Sequence, residues 1–265
     1  MLRGIPAPFE DLRGTAELQG QRVFLRAVQS RLGGGSLQGS GELTRDGGQW
    51  SFRTTFQEDG GGAEQLLTGF SKGKGEVTGA LSLGGSLASH GQDEDGFWSN
   101  LEGSLKLVMR DGQMGRQALT TRILSAINIG QLFDTKNQDV SAQGLPYQRL
   151  TADIAIEHGV ARTENLLFES RAFNLSAVGE VNLVEETIKM DLAVRPFQNV
   201  DRFLSMIPLA GWFLGGKEQG VAVTFYRVTG TLKDPQVTSL TAKSLGRNVF
   251  GIFLRLLDIP KVIIP

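Results

Sequence analysis

Gly179-Glu180-Val181-Asn182-Leu183 is one copy of a phrase that returns along this chain, a glycine followed by alternating apolar and polar residues. It recurs as Gly14-Thr15-Ala16-Glu17-Leu18, Gly79-Ala80-Leu81-Ser82-Leu83, Gly103-Ser104-Leu105-Lys106-Leu107 and Gly230-Thr231-Leu232-Lys233, with a looser copy at Gly41-Glu42-Leu43-Thr44. Side chains on a strand alternate between faces, so each copy specifies a strand with one apolar and one wet face. Repeating that unit builds a sheet with a long apolar surface. The functional question is what that surface holds.

The fullest β pattern lies in residues 147–196. Leu150, Ala152, Ile154 and Ile156 alternate with Thr151, Asp153 and Glu157, and His158-Gly159 turns the chain into the next strand. Phe173, Leu175, Ala177, Val181 and Leu183 follow, and past a turn at Val184-Glu185-Glu186 come Ile188, Met190, Leu192 and Val194. About four antiparallel strands then share one apolar face. Residues 12–57 read as hairpins broken by Gly33-Gly34-Gly35 and Asp46-Gly47-Gly48, with Glu58 to Gly62 as a loop. Val77 to Leu83 and Leu101 to Met109 give two more strands, and a turn is expected at Asp111-Gly112. A further strand over residues 221–228 is expected to end at Pro235.

Three stretches switch to helical spacing: residues 116–129, 199–207 and 244–258. The last is strongly amphipathic, with Leu245, Val249, Phe250, Phe253, Leu254 and Leu257 on one face. The fold class is therefore mainly β, a long, twisted antiparallel meander with a few amphipathic helices including one at the C-terminus; that the meander forms an open groove is what the family resemblance below implies.

Composition narrows the function classes. The 35 glycines in 265 residues are about twice ordinary usage, while 8 prolines are unexceptional, a balance that fits many hairpin turns and bulges. The net charge of −1 supplies no basic field for nucleic acid. Without cysteine there is no disulfide framework or thiolate metal site. The opening residues lack the features of a secretory signal, and no apolar stretch is long enough to span a bilayer. The chain reads either as a protein without export or membrane signals, or as the C-terminal part of a longer one.

The motifs that look like chemistry are poorly formed. Gly211 to Lys217 has the spacing of a phosphate-binding loop, but Glu218 stands where a hydroxyl residue is needed and the middle is bulky and apolar. Gly73-Lys74-Gly75 and Gly39-Ser40-Gly41 do not open a helix in a βαβ unit. The acidic stretch Gly91 to Gly96 lacks calcium-loop spacing and reads as a solvated turn. His90 and His158, the two histidines, both sit in turn-like contexts. No catalytic residue, metal site or cofactor is read from the sequence, and an enzyme is not expected.

The order of elements from Gly103-Ser104-Leu105-Lys106-Leu107-Val108, through Ile123-Leu124-Ser125-Ala126-Ile127-Asn128, to Leu150 to Thr163 resembles the C-terminal region of the AsmA-like proteins, nearest to the YhdP-type members. The Gly179 to Leu183 strand, Ile207-Pro208-Leu209-Ala210-Gly211 and Val228 to Val237 share in it. The resemblance covers about residues 100–260 and rests on a pattern over many strands. It implies an upstream unit of β-groove repeats over residues 1–100 and an AsmA-like C-terminal β region over 101–265. It also implies a periplasmic protein of the bacterial envelope, anchored in the inner membrane through an N-terminal segment absent from this chain.

The function so implied is non-enzymatic lipid handling: an apolar β-groove that guides phospholipid between inner and outer membranes and supports outer-membrane integrity. The expected groove lining is Leu150, Ile154, Ile156, Leu175, Val181, Leu183, Ile188, Met190, Leu192 and Val194. The helix carrying Val249, Phe250, Phe253, Leu254 and Leu257 is expected to cap the groove end or lie on a membrane surface. Expected partners are phospholipid acyl chains, an inner or outer membrane surface and an envelope protein, with no nucleic acid. The alternative is an envelope scaffold or outer-membrane protein assembly factor that recruits a partner through its strand edges.

Overall fold

In the computed structural model of the chain, the described residues are 9–67, 77–115, 123, 144–196, 212–214 and 221–257. The first four strands are β1 (Phe9–Gln19), β2 (Arg22–Leu32), β3 (Gly35–Asp46) and β4 (Gln49–Gly62), and a short helix α1 (Ala63–Leu67) follows. Next come β5 (Ala80–Gly91), helix α2 (Glu94–Ser99), β6 (Glu102–Met114), β7 (Leu145–Glu157), β8 (Val160–Glu169), β9 (Phe173–Asn182) and β10 (Thr187–Pro196). The chain then forms β11 (Trp212–Leu214), β12 (Val221–Gly230), β13 (Pro235–Leu240), a 3-10 turn (Ala242–Ser244) and helix α3 (Arg247–Leu256).

The strands join in one sheet in the order β1 to β10, then β12, and every pairing is antiparallel. β11 and β13 share the far edge of β12, opposite Val221–Val223 and Phe225–Gly230 respectively. Pairing continues unbroken across residue 100, where Leu83 faces Leu107. The sheet is an open meander with β1 at its near edge.

The turns follow from their residues. Gly33-Gly34, Gly47-Gly48 and His158-Gly159 each put two consecutive residues at positive φ, the requirement of the tight hairpin turn whose twist matches the flanking strands. The phrase glycines do something else. Gly14, Gly79, Gly103, Gly179 and Gly230 all have positive φ, between 96° and 157°. A Cβ on Gly103 would stand 2.0 Å from the Ser86 carbonyl oxygen, and one on Gly179 would stand 2.3 Å from that of Lys189. Only glycine permits both the dihedral and the approach of the neighbouring backbone, a device by which sheets bend. Register shifts in the β1–β2, β2–β3, β4–β5, β7–β8 and β8–β9 pairs add further local bends.

Four local expectations change. Glu58 to Gly62 is the end of β4, where Gly61 and Gly62 pair with Leu81 and Ala80 past a bulge, so the glycines break register without breaking the strand. Asp111-Gly112 lies inside β6, with Gly112 opposite Tyr147 and Asp111 taking φ 49°. The acidic stretch starts α2: Asp93 caps it by accepting the Gly96 N–H at 2.8 Å. Pro235 opens β13 instead of ending the sheet, because the first residue of an edge strand need not donate to the ladder. Of the expected helix 116–129 only Ile123 is described, helical and buried; the expected helix 199–207 lies outside the described residues.

The two faces carry two separate cores. The inner face holds one apolar cluster reaching from Leu32 through Leu81, Met109, Leu150, Phe168, Leu175 and Leu192 to Val228. α1 enters it through Ala63 and Leu66. On the back face α3 lies against β8, β9, β10 and β12, packing Phe253, Leu254 and Leu257 on Ala193, Val223 and Phe225. Phe225 stacks on Phe253 with ring centroids 6.1 Å apart. Arg195 ties the end of α3 down, donating to the Leu257 carbonyl at 2.6 Å.

Candidate functional site: the inner face

Cross-strand register arranges the inner face in rows that run across the strands. One row is Leu18, Val23, Leu43, Phe52 and Ser89 on β1 to β5, and the next is Ala16, Leu25, Gly41, Thr54, Leu87 and Gly103. A deeper row joins Ser30, Leu37, Glu58, Leu83, Leu107 and Ala152. The alternation written into each phrase thus becomes a mainly apolar face in two dimensions, interrupted by Ser30, Thr54, Glu58 and Ser89.

Its exposure varies along and across the sheet. At the strand ends near Leu32, Leu81, Met114, Leu145, Phe168 and Phe173 the inner face is closed to solvent. Midway, Leu83, Leu107, Leu166, Val181 and Met190 are half-buried. Over β1 to β4 the face lies open: Leu18 is 74% exposed, Leu25 43%, Leu43 40% and Trp50 45%.

The expected groove residues occupy the more closed part. Leu150, Ile156, Leu175, Ile188, Leu192 and Val194 are buried, and Ile154, Val181 and Met190 are half-buried. Leu183 lies in the turn after β9. The open positions, Leu18, Leu25, Leu43 and Trp50, were not among the expected residues. Their signal was the same alternation, in glycine-rich strands whose partners do not cover them. The helix expected to cap the groove or meet a membrane is on the other face. Phe253, Leu254 and Leu257 are spent there on the protein's own core, and Val249 and Phe250 pack against its margin.

One charged group is built into the inner face. Glu58 is 3% exposed, its Oε1 accepts the Gly61 N–H at 2.7 Å, and its Oε2 is buried without a partner among the described residues. Gly35 and Gly61 leave the space that its carboxyl fills. Burial raises its pKa from the ordinary 4.5 to about 7, the Gly61 hydrogen bond pulling against the rise and Asp59 adding to it. His158 is exposed, 3.8 Å from Glu102. Within the loop-like stretch 211–217 only the apolar Trp212–Leu214 are described, and they form a strand.

A family-level sequence profile described as YhdP protein matches residues 11–237. The chain belongs to the YhdP family. That span takes in nearly every strand described above, β1 included, so the family pattern is the meander itself and not one motif within it. The family is an AsmA-like one associated with the bacterial envelope. Comparison with curated proteins and with solved structures finds no match. No helix among the described residues is long and apolar enough to cross a membrane.

Proposed function

We propose that the inner face carries phospholipid acyl chains through the periplasm, between the inner and outer membranes, and catalyses no reaction. The observation that supports this reading most is the succession of apolar inner-face residues from Leu18, Val23, Leu43 and Phe52, through Leu87, to the half-buried Leu83, Leu107, Leu166 and Met190. Neighbouring strands lie roughly 4.8 Å apart, so the nine steps from β1 to β10 span on the order of 40 Å, longer than one leaflet of a hydrocarbon core about 30 Å thick. Burying each CH2 is worth about 0.8 kcal/mol, so a hydrocarbon tail binds such a surface without a charged or catalytic residue. An uncovered apolar face of this extent otherwise invites association.

The test is native mass spectrometry, with lipid extraction, of the chain expressed in a diderm bacterium and purified from its envelope fraction. Bound phospholipid is expected, and the double variant Leu25→Asp and Leu43→Asp should lose most of it while keeping its circular dichroism spectrum, since both positions are exposed. A compact, lipid-free wild-type monomer would sink the proposal. Stoichiometric capture of another β protein in that state would favour the scaffold reading instead. That alternative has one supporting observation, the outer edge of β1, which is unpaired among the described residues. Two register shifts within β1 and the positive φ of Asp11 distort that edge, a feature that protects against indiscriminate strand addition.

A further inference from the structure

Where β3, β4 and β5 end, the inner face opens into a pocket of about 670 Å3 that hydrocarbon binding alone leaves unexplained. Its lining is aromatic and apolar on one side. Phe97, carried by α2, stacks on Phe52 with ring centroids 5.1 Å apart, and Trp50 and Leu43 extend that wall. Asp93 and Glu94, at the start of α2, belong to the same lining. Asp93 Oδ1 is engaged by the Gly96 N–H; Glu94 is exposed beside it.

A cation stands beside the pocket, on Trp50. Arg45 pairs with Trp50 across the β3–β4 register and lays its guanidinium over the indole, 5.1 Å from the ring centroid. Two acidic residues therefore line the pocket, and one guanidinium lies on the indole of its wall, at the end of the row Leu18, Val23, Leu43 and Phe52. A bare hydrocarbon tail uses none of the charges. An anionic headgroup has nothing for the carboxylates, and a free phosphate has no use for the aromatic wall. A phosphate and an ammonium joined by a short linker, attached to acyl chains, match every part of the site.

We propose that this pocket seats the headgroup of a zwitterionic phospholipid. The ammonium lies against Asp93, Glu94 and the aromatic faces, the phosphate lies toward Arg45, and the acyl chains enter the row at Leu43. Cation–π attraction and the carboxylate charges act on the ammonium together, in a pocket partly shielded from water. The assignment rests on the acyl-chain reading above and adds the class of lipid to it.

The delipidated 265-residue chain is incubated with vesicles of equimolar dioleoyl phosphatidylethanolamine and dioleoyl phosphatidylglycerol, and the bound lipids are counted by native mass spectrometry. The expected result is a preference of about tenfold for phosphatidylethanolamine, the combined effect of an aromatic–cation contact and one ion pair. Glu94→Gln combined with Asp93→Asn, which keeps an acceptor for the helix cap, should bring the ratio close to one. Trp50→Ala should lower it and Trp50→Phe should restore most of it. Equal uptake of both lipids by the unaltered chain would overturn the headgroup site and leave the acyl-chain reading standing. So would a preference that survives the carboxylate variants, or an equal loss of both lipids in them. Uptake of neither lipid would overturn both.

Discussion

The first four strands and the last six present the same alternating pattern to opposite outcomes. In β1 to β4 the inner-face residues Leu18, Leu25, Leu43 and Trp50 are largely exposed. In β8 to β12 the equivalent residues Phe168, Leu175, Leu192 and Val228 are almost wholly buried. The back face differs in the same sense. β9, β10 and β12 are backed by α3, whereas β1, β2 and β3 show solvent the ion pairs Arg22–Glu42, Arg26–Glu17 and Arg31–Glu10, and exposed pairs of that kind contribute little. One half is a packed, two-cored structure and the other a single-layered sheet. The difference teaches that alternation sets which face is apolar, while the surrounding elements set whether it is core or binding surface.

The sharpest way to break that comparison is to put the same charge on both halves. Leu192→Asp buries a carboxylate at a position 4% exposed and should cost several kcal/mol, enough to unfold the C-terminal half, whereas Leu43→Asp should change stability by less than about 1 kcal/mol. Urea unfolding followed by circular dichroism reads both; equal costs would mean that the two halves are packed alike. Phe253→Ala removes a fully buried aromatic side chain that α3 places on the back face and should cost about 3–5 kcal/mol. If it costs less than 1 kcal/mol, α3 does not support the C-terminal half.

The bend glycines give a smaller effect. Gly103→Ala meets both a φ of 151° and the Ser86 carbonyl, and should lose about 2–3 kcal/mol. Gly34→Ala meets open space at φ 85°, and should lose about 1 kcal/mol from backbone strain alone. Equal losses would show that the neighbouring backbone yields to a methyl group.

Glu58 sharpens the comparison at its boundary, where the open face of β4 passes under α1. Its folded pKa, about 7, stands above the ordinary 4.5, so the folded state holds the proton more tightly than the unfolded chain. Its contribution is fully present below pH 4.5 and is lost as pH rises toward and through about 7. At most, roughly 3 kcal/mol of pH dependence follows from a shift of this size. Stability of the wild type should fall across that window and that of Glu58→Gln should stay level; parallel profiles would exclude Glu58 as the source.

Much of this was legible in the sequence. The hairpins of β7 to β10 follow the alternation of Leu150 to Val194, and the turn at His158-Gly159 is where its residue types put it. The C-terminal helix follows from the spacing of Leu245 to Leu257. Errors arose where one residue type serves two purposes. Gly60, Gly61 and Gly62 look like a loop but shape a strand end around Glu58, and Asp111-Gly112 looks like a turn but lies within a ladder. Glycine specifies permission for an unusual dihedral, and only the neighbouring strand decides whether that permission makes a turn, a bulge or a close approach.

By itself the sequence determined the strand repeat, the sense of each face and the amphipathic helix, because periodicity is a local property that the backbone reads without distant partners. Only the tertiary structure decided that α3 backs the sheet instead of capping it, that Leu192 is core while Leu43 is open, and that Trp50, Phe97, Asp93 and Arg45 meet at one end. Burial and convergence depend on residues far apart in the chain, whose separation in space is set by register and bending and is written in no single stretch of residues.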